Sequence, residues 1–169
     1  MELDRMLRFT LKSVFLFIII NCGVSVLVPI VASVISNAVG VNSVQDFLGS
    51  DKVMSCTAWL VTVITMMWVL WEDSKKNTAY KAFDGINTAI TFLAIFVAYF
   101  FPVLYIDEAR ENVEVALRQY YYTCLWIRGE DGEYEIPVML TAIIGIVPMM
   151  ATYVAGHYLY VKKHPEIKD

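Results

Sequence analysis

The chain has 169 residues, enough for one soluble domain, but 58% of them are apolar and the formal net charge is only −4. With a mean hydropathy of +0.57, the apolar share lies above the usual ~45–50%, which argues against an ordinary water-soluble fold. No basic domain of the kind that grips nucleic acid is present.

The apolar excess is arranged in four blocks, roughly 13–39, 53–71, 82–105 and 136–161. Each meets the ~20 residues that a helix rising ~1.5 Å per residue needs to cross a ~30 Å hydrocarbon layer. Lipid offers no partner to unpaired backbone groups, and these continuous runs lack the alternation of a barrel strand, so all four are expected to be α-helical. The expected architecture is an all-α membrane protein, a single four-transmembrane-helix bundle over residues 1–169.

Arg5, Arg8 and Lys12 precede the first block as they would precede a signal peptide. A lipoprotein cleavage box wants a small residue before its cysteine, however, and Asn21 stands before Cys22. The apolar run also continues through "VSVLVPIVASVIS", so the block reads as a retained span. Within it Ala32, Ser36 and Gly40 recur every fourth residue, a small-residue stripe suited to close helix contact. The second block is bulky, with Trp59, Met66, Met67, Trp68 and Trp71, and Trp71 stands where an interfacial belt residue would sit before "EDSKKN". That span is expected to face lipid over much of its surface.

The third block is the most polar. Asp84, Asn87, Thr88 and Thr91 fall at helical spacing and form a candidate polar pathway or helix contact, with Asn21 of the first span as the natural partner across the interface. Asp84, close to Lys81 and the membrane boundary, fits an interfacial or helix-capping role as well. Pro29, Pro102 and Pro148 fall inside three of the spans and are candidate hinges, because proline removes a backbone donor. Proline is also common in membrane helices that do not move.

Lys and Arg in the short flanks set orientation. Nine of the thirteen lie on one side: Arg5, Arg8, Lys12, Lys75, Lys76, Lys81, Lys162, Lys163 and Lys168. Lys52, Arg110, Arg118 and Arg128 lie on the other. Both termini are therefore expected to be cytoplasmic. The outer segments hold ten of the seventeen acids against those four bases, which puts the outer face near −6 and the inner face near +2. An acidic outer face attracts cations.

The long outer segment, 106–135, is too large for a simple connection. Ile106, Ala109, Val113, Leu117 and Tyr120 follow an i, i+3/i+4 pattern, which predicts an amphipathic helix. "YYTCLWI", "RGEDG" and "EYEIP" then read as a short β-hairpin, although Tyr120, Tyr121, Tyr122 and Trp126 equally suit an interfacial aromatic belt. Glu108, Glu111 and Glu114 share roughly one helix face and form a candidate acidic cap; repeated around a homo-oligomer they would concentrate cations, and on a lone chain they are a solvated surface. The hairpin could also dock a protein partner by adding a strand.

Reaction chemistry is sparse. The two histidines, His157 and His164, have no companion at chelating spacing, so His157 reads as an interfacial hydrogen-bonding residue and no metal or other cofactor is expected. No phosphate loop or activated nucleophile is legible. The three cysteines, Cys22, Cys56 and Cys124, make no CxxC; Cys56 and Cys124, both toward the outer side, are a candidate disulfide. Four helices, inner termini and a long second outer loop resemble, in topology alone, the quinone-linked disulfide-forming membrane oxidoreductases. That family carries a CxxC pair in its first outer loop, where "GVNSVQDFLGSDK" has no cysteine.

The expected function is non-enzymatic: an oligomeric pore or transport component whose acidic outer cap favours cations. An accessory or scaffold subunit that docks a membrane-protein partner through its outer loop is the alternative, and thiol oxidoreduction a remote third. The lipid bilayer is the surrounding medium in each case.

Overall fold

The computed structural model describes residues 2–40, 50–108, 122–127 and 138–167. Four long helices carry the fold: α1 Glu2–Val39, α2 Asp51–Ala79, α3 Gly85–Glu108 and α4 Val138–Lys163. Two 3-10 helices accompany them, Tyr122–Ile127 and Pro165–Ile167. Leu7–Val39, Lys52–Ala79 and Met139–Lys163 are long and apolar enough to cross a membrane, and Gly85–Tyr99 is a shorter apolar helix. The helices overrun the apolar blocks, α1 starting eleven residues earlier and α2 ending eight later than composition alone suggests. Polar residues sustain these extensions by bonding across the bundle.

Two helix ends show why the chain turns where it does. At the end of α1 the Gly40 amide donates to the Ser36 carbonyl at 3.2 Å with Gly40 at φ +66°, a left-handed stop that a residue without Cβ adopts freely. Gly40 thus ends the helix rather than extending the Ala32–Ser36 contact stripe. At the end of α2 the Ala82 amide donates to the Asn77 carbonyl at 2.7 Å and the Lys81 amide to the Thr78 carbonyl at 3.0 Å. This is a Schellman stop, with Lys81 at φ 52° where glycine is usual. Asp84 then starts α3, its carboxylate accepting the Ile86 amide at 3.0 Å and the Asn87 amide at 3.4 Å.

Partners across the bundle give the up-down-up-down arrangement. Thr10 of α1 meets Thr91 of α3, Lys12 of α1 meets Asp73 of α2, and Thr78 of α2 meets His157 of α4. The beginnings of α1 and α3 and the ends of α2 and α4 therefore share one end of the bundle.

The polarity of the molecule is inverted. Thirteen hydrophobic and thirteen polar or charged side chains are buried among the described residues, while the surface carries many exposed large hydrophobics, such as Phe15 at 64%, Ile64 at 62% and Leu93 at 62%. That distribution fits a surround of hydrocarbon, where close packing and hydrogen bonds between helices replace the hydrophobic effect. The second span does turn an apolar face outward, but two of its bulky residues, Trp59 and Met66, are buried rather than set against lipid. Ala58, Trp59, Thr62, Val63, Met66 and Leu70 of α2 are all buried, while Leu60, Val61, Ile64 and Trp68 are exposed. The bulk finds room because α4 is small opposite it: a Cβ on Gly145 would already stand at van der Waals distance from Trp59, and one on Gly156 would press on Ser74 and Trp71.

The predicted β-hairpin is corrected at its first arm. Tyr122–Ile127 is a 3-10 helix, because Ser55 of α2 bonds its backbone at both ends, donating to the Tyr122 carbonyl and accepting the Trp126 amide at 3.0 Å. Those bonds curl the segment onto α2 instead of leaving it extended for a second strand. The amphipathic helix expected beyond Glu108 and the second arm, 133–137, lie outside the described residues.

Candidate functional site

Three polar zones stack along the bundle interior. With the end where α1 begins taken as inner, the inner zone gathers at that shared end of the helices. Lys12 Nζ contacts both Asp73 carboxylate oxygens, at 2.8 and 2.6 Å. The Asp73 side chain is 10% exposed and that of Lys12 53% exposed, so the ammonium stays hydrated while its stem runs back to a withdrawn carboxylate. Thr10 Oγ1 lies 2.9 Å from Thr91 Oγ1 and donates to Asn87 Oδ1 at 3.5 Å. Ser74 Oγ donates to the Tyr153 carbonyl at 2.5 Å, and Asn77 Nδ2 to the Tyr153 hydroxyl at 2.8 Å. Thr78 Oγ1 is 2.9 Å from His157 Nδ1.

Aromatic rings fill the space between these groups. Phe9, Phe83 and Phe92 surround Tyr153 at centroid distances of 5.3, 5.7 and 6.2 Å, and Phe83 stacks on His157 at 3.6 Å. His157 is held by a hydroxyl and a ring face, which suits a packing and hydrogen-bonding role. Every polar group named in this zone is occupied by a neighbour, and none forms a nucleophile and base pair facing open space. Among the described residues no three His, Cys, Asp or Glu side chains come together as a metal site.

The outer zone is a latch. Asn21, fully buried in α1, accepts a hydrogen bond from Thr123 Oγ1 at 2.9 Å. The same 3-10 helix is fixed to α2 through Ser55, and Trp126 packs on Trp59 at 5.5 Å between ring centroids. Between the two zones a cavity of about 10 Å³ is lined by residues from all four helices, among them Asn21, Thr62, Tyr99 and Thr141.

The residues singled out from sequence scatter across this layout. Asn87, Thr88 and Thr91 are buried on one face of α3. Thr10 partners Asn87 and Thr91 across the bundle, while Thr88 bonds back to the Asp84 carbonyl; Asn21, expected there, lies toward the other end and holds Thr123. Asp84 is exposed and caps its own helix, the second of the two roles open to it. α1 and α4 continue through Pro29 and Pro148, and the α3 backbone runs on past Pro102. Glu108 is the last residue of α3, while Glu111 and Glu114 lie outside the described residues. Cys56 is a free thiol, and the side chain of Cys124 falls outside the described ones.

Sequence reasoning passed over Lys12, Asp73, Ser74, Asn77 and Thr78. Asp73, Ser74, Asn77 and Thr78 recur at i, i+1, i+4 and i+5, a helical polar stripe legible in the sequence beyond the apolar block that ends at Trp71. No family model, curated protein or solved structure matches this chain.

Proposed function

We propose that the chain is a four-span integral membrane protein with cytoplasmic termini that acts without chemistry of its own, as an accessory or scaffold subunit of a larger membrane assembly. The observation behind this assignment is the direction of the polar stripe. Asn87, Thr88 and Thr91 point into the bundle, and the outward face of α3 is Ile86, Ile90, Leu93 and Val97. The outward faces of α2 and α4 are similar, with Leu60, Ile64 and Trp68 on one and Ile143, Ile144 and Val147 on the other. Copies packed side by side through such faces would give water no polar lining between them, and the cavity between the polar zones has room for about one water. What these surfaces suit is contact with lipid and with other helices. Ala151 and Ala155, one turn apart and exposed on α4, let a neighbouring backbone approach closely.

The test is gentle extraction from the native membrane with a photoreactive residue at Ala155, followed by the mass and composition of the particle. A stoichiometric adduct with a different polypeptide is the expected result; a homo-oligomer without any partner would overturn it. In that case the pore of several copies, drawing on Glu108, Glu111 and Glu114, becomes the function to test. Changing all three to Gln should then reduce cation preference in liposome currents.

A further inference from the structure

Threonine hydroxyls in this chain follow a habit. Thr57, Thr78, Thr88, Thr91 and Thr152 each donate to the carbonyl four residues earlier, at 2.7 to 2.8 Å. That back-bond is the ordinary way to satisfy a hydroxyl on a helix that cannot reach water. Thr62 and Thr141 depart from it. Both are buried, at 3% and 1% exposure, and neither Oγ1 has a hydrogen-bond partner among the described residues. Leaving a buried hydroxyl unsatisfied costs on the order of 1–3 kcal/mol.

Both residues line the same cavity, Thr62 from α2 and Thr141 from α4, and Asn21 of α1 adds a third polar side chain to its wall. The cavity measures about 10 Å³. A site that holds one water needs at least ~10–15 Å³ and two to four polar partners, so the room is of the right order for one molecule and too small for a larger ligand. Nearly all of the wall is apolar, with Phe17, Trp59 and Met149 among its residues, so a water there would depend on these few polar groups.

We propose that Thr62 and Thr141 hold a single structural water at the centre of the bundle, with Asn21 as its third contact. The water bridges α2 to α4 at a level where, among the described residues, no direct side-chain hydrogen bond joins those helices; their direct bonds, from Ser74, Asn77 and Thr78, lie at the inner end. It thereby ties the middle of the bundle as the other polar zones tie its ends.

Two measurements on the full chain test this. In lipid bilayers, with threonine carbon-13 labelling, magnetisation started on water should reach the side-chain signals of Thr62 and Thr141. It should leave dark Thr91, which is equally buried and bonded to protein groups. In the second, Thr62→Val, Thr141→Val and the double variant are compared by reversible unfolding in bicelles. Valine keeps the shape, so each variant should fold. Each single change strands the opposite hydroxyl and should raise the unfolding equilibrium constant about threefold to tenfold, whereas the double change should cost no more than the larger single one, because the water leaves with both of its partners. Additive effects in the double variant, or no transfer from water to Thr62 and Thr141, would each overturn the proposal.

Discussion

The two ends of the bundle are held by different means. At the inner end, charge, amide, hydroxyl and aromatic groups from all four helices interlock around Asp73, Tyr153 and His157. At the outer end, two bonding centres, Asn21 and Ser55, grip a single 3-10 helix. The first arrangement fastens the long helices to one another, and the second fastens a connecting segment to helices already in place. Damage at the inner end should therefore register as a loss of global stability, and damage at the outer end as local release.

The largest effect is expected from Lys12→Met, which removes the cation and leaves the Asp73 carboxylate withdrawn without its partner. Breaking a buried pair from one side costs ~3–5 kcal/mol, and the exposure of Lys12 brings the expected loss down to about 2–3 kcal/mol. Denaturant titration in bicelles would measure it; a loss below ~0.5 kcal/mol would mean that the inner end is not held by charge. Next comes Gly156→Ala. A Cβ there meets Ser74 Cβ and Oγ at 3.0 Å and Trp71 at 3.4 Å, so α2 and α4 must part or Ser74 must abandon the Tyr153 carbonyl, at about 1–2 kcal/mol by the same titration.

Asn21→Leu sharpens the contrast. It strands Thr123 Oγ1 and should cost only about 1 kcal/mol globally while raising hydrogen exchange of the 122–127 amides severalfold relative to those of α2. Uniform acceleration across both would erase the distinction between the ends. The smallest effect should be favourable. Lys81→Gly relieves a left-handed backbone at the α2 stop and should raise stability by up to about 1 kcal/mol, visible as an upward shift in the unfolding midpoint.

Most of the helical framework was legible in sequence, because runs of apolar residues near 20 long constrain the chain to few structures. The helix ends were not, since hydropathy falls off at Trp71 while Asp73, Ser74 and Thr78 keep α2 going by finding partners on other helices. The burial of Trp59 and Met66 on α2 is illegible for a related reason. Trp and Met read as lipid-facing bulk unless the glycines that make room for them, Gly145 and Gly156, are assigned to the same interface, and no local signal does that. Asp84 and Asp73 make the same point in miniature. The conspicuous aspartate beside the polar stripe serves its own helix, and the one in an apparently solvated run joins two. Partners among Thr10, Asn87 and Thr91 needed the third dimension, because the residues lie about eighty positions apart.

The inverted polarity has a practical consequence. The residues that hold the helices together and the residues that hold the molecule in oil are almost disjoint sets, the first inside and the second outside. Side chains such as Phe15, Ile64, Leu93 and Ile144 could therefore be exchanged for glutamate, lysine and glutamine without touching one of the interhelical bonds described above. The product would be a water-soluble analogue with the same interior, open to solution methods.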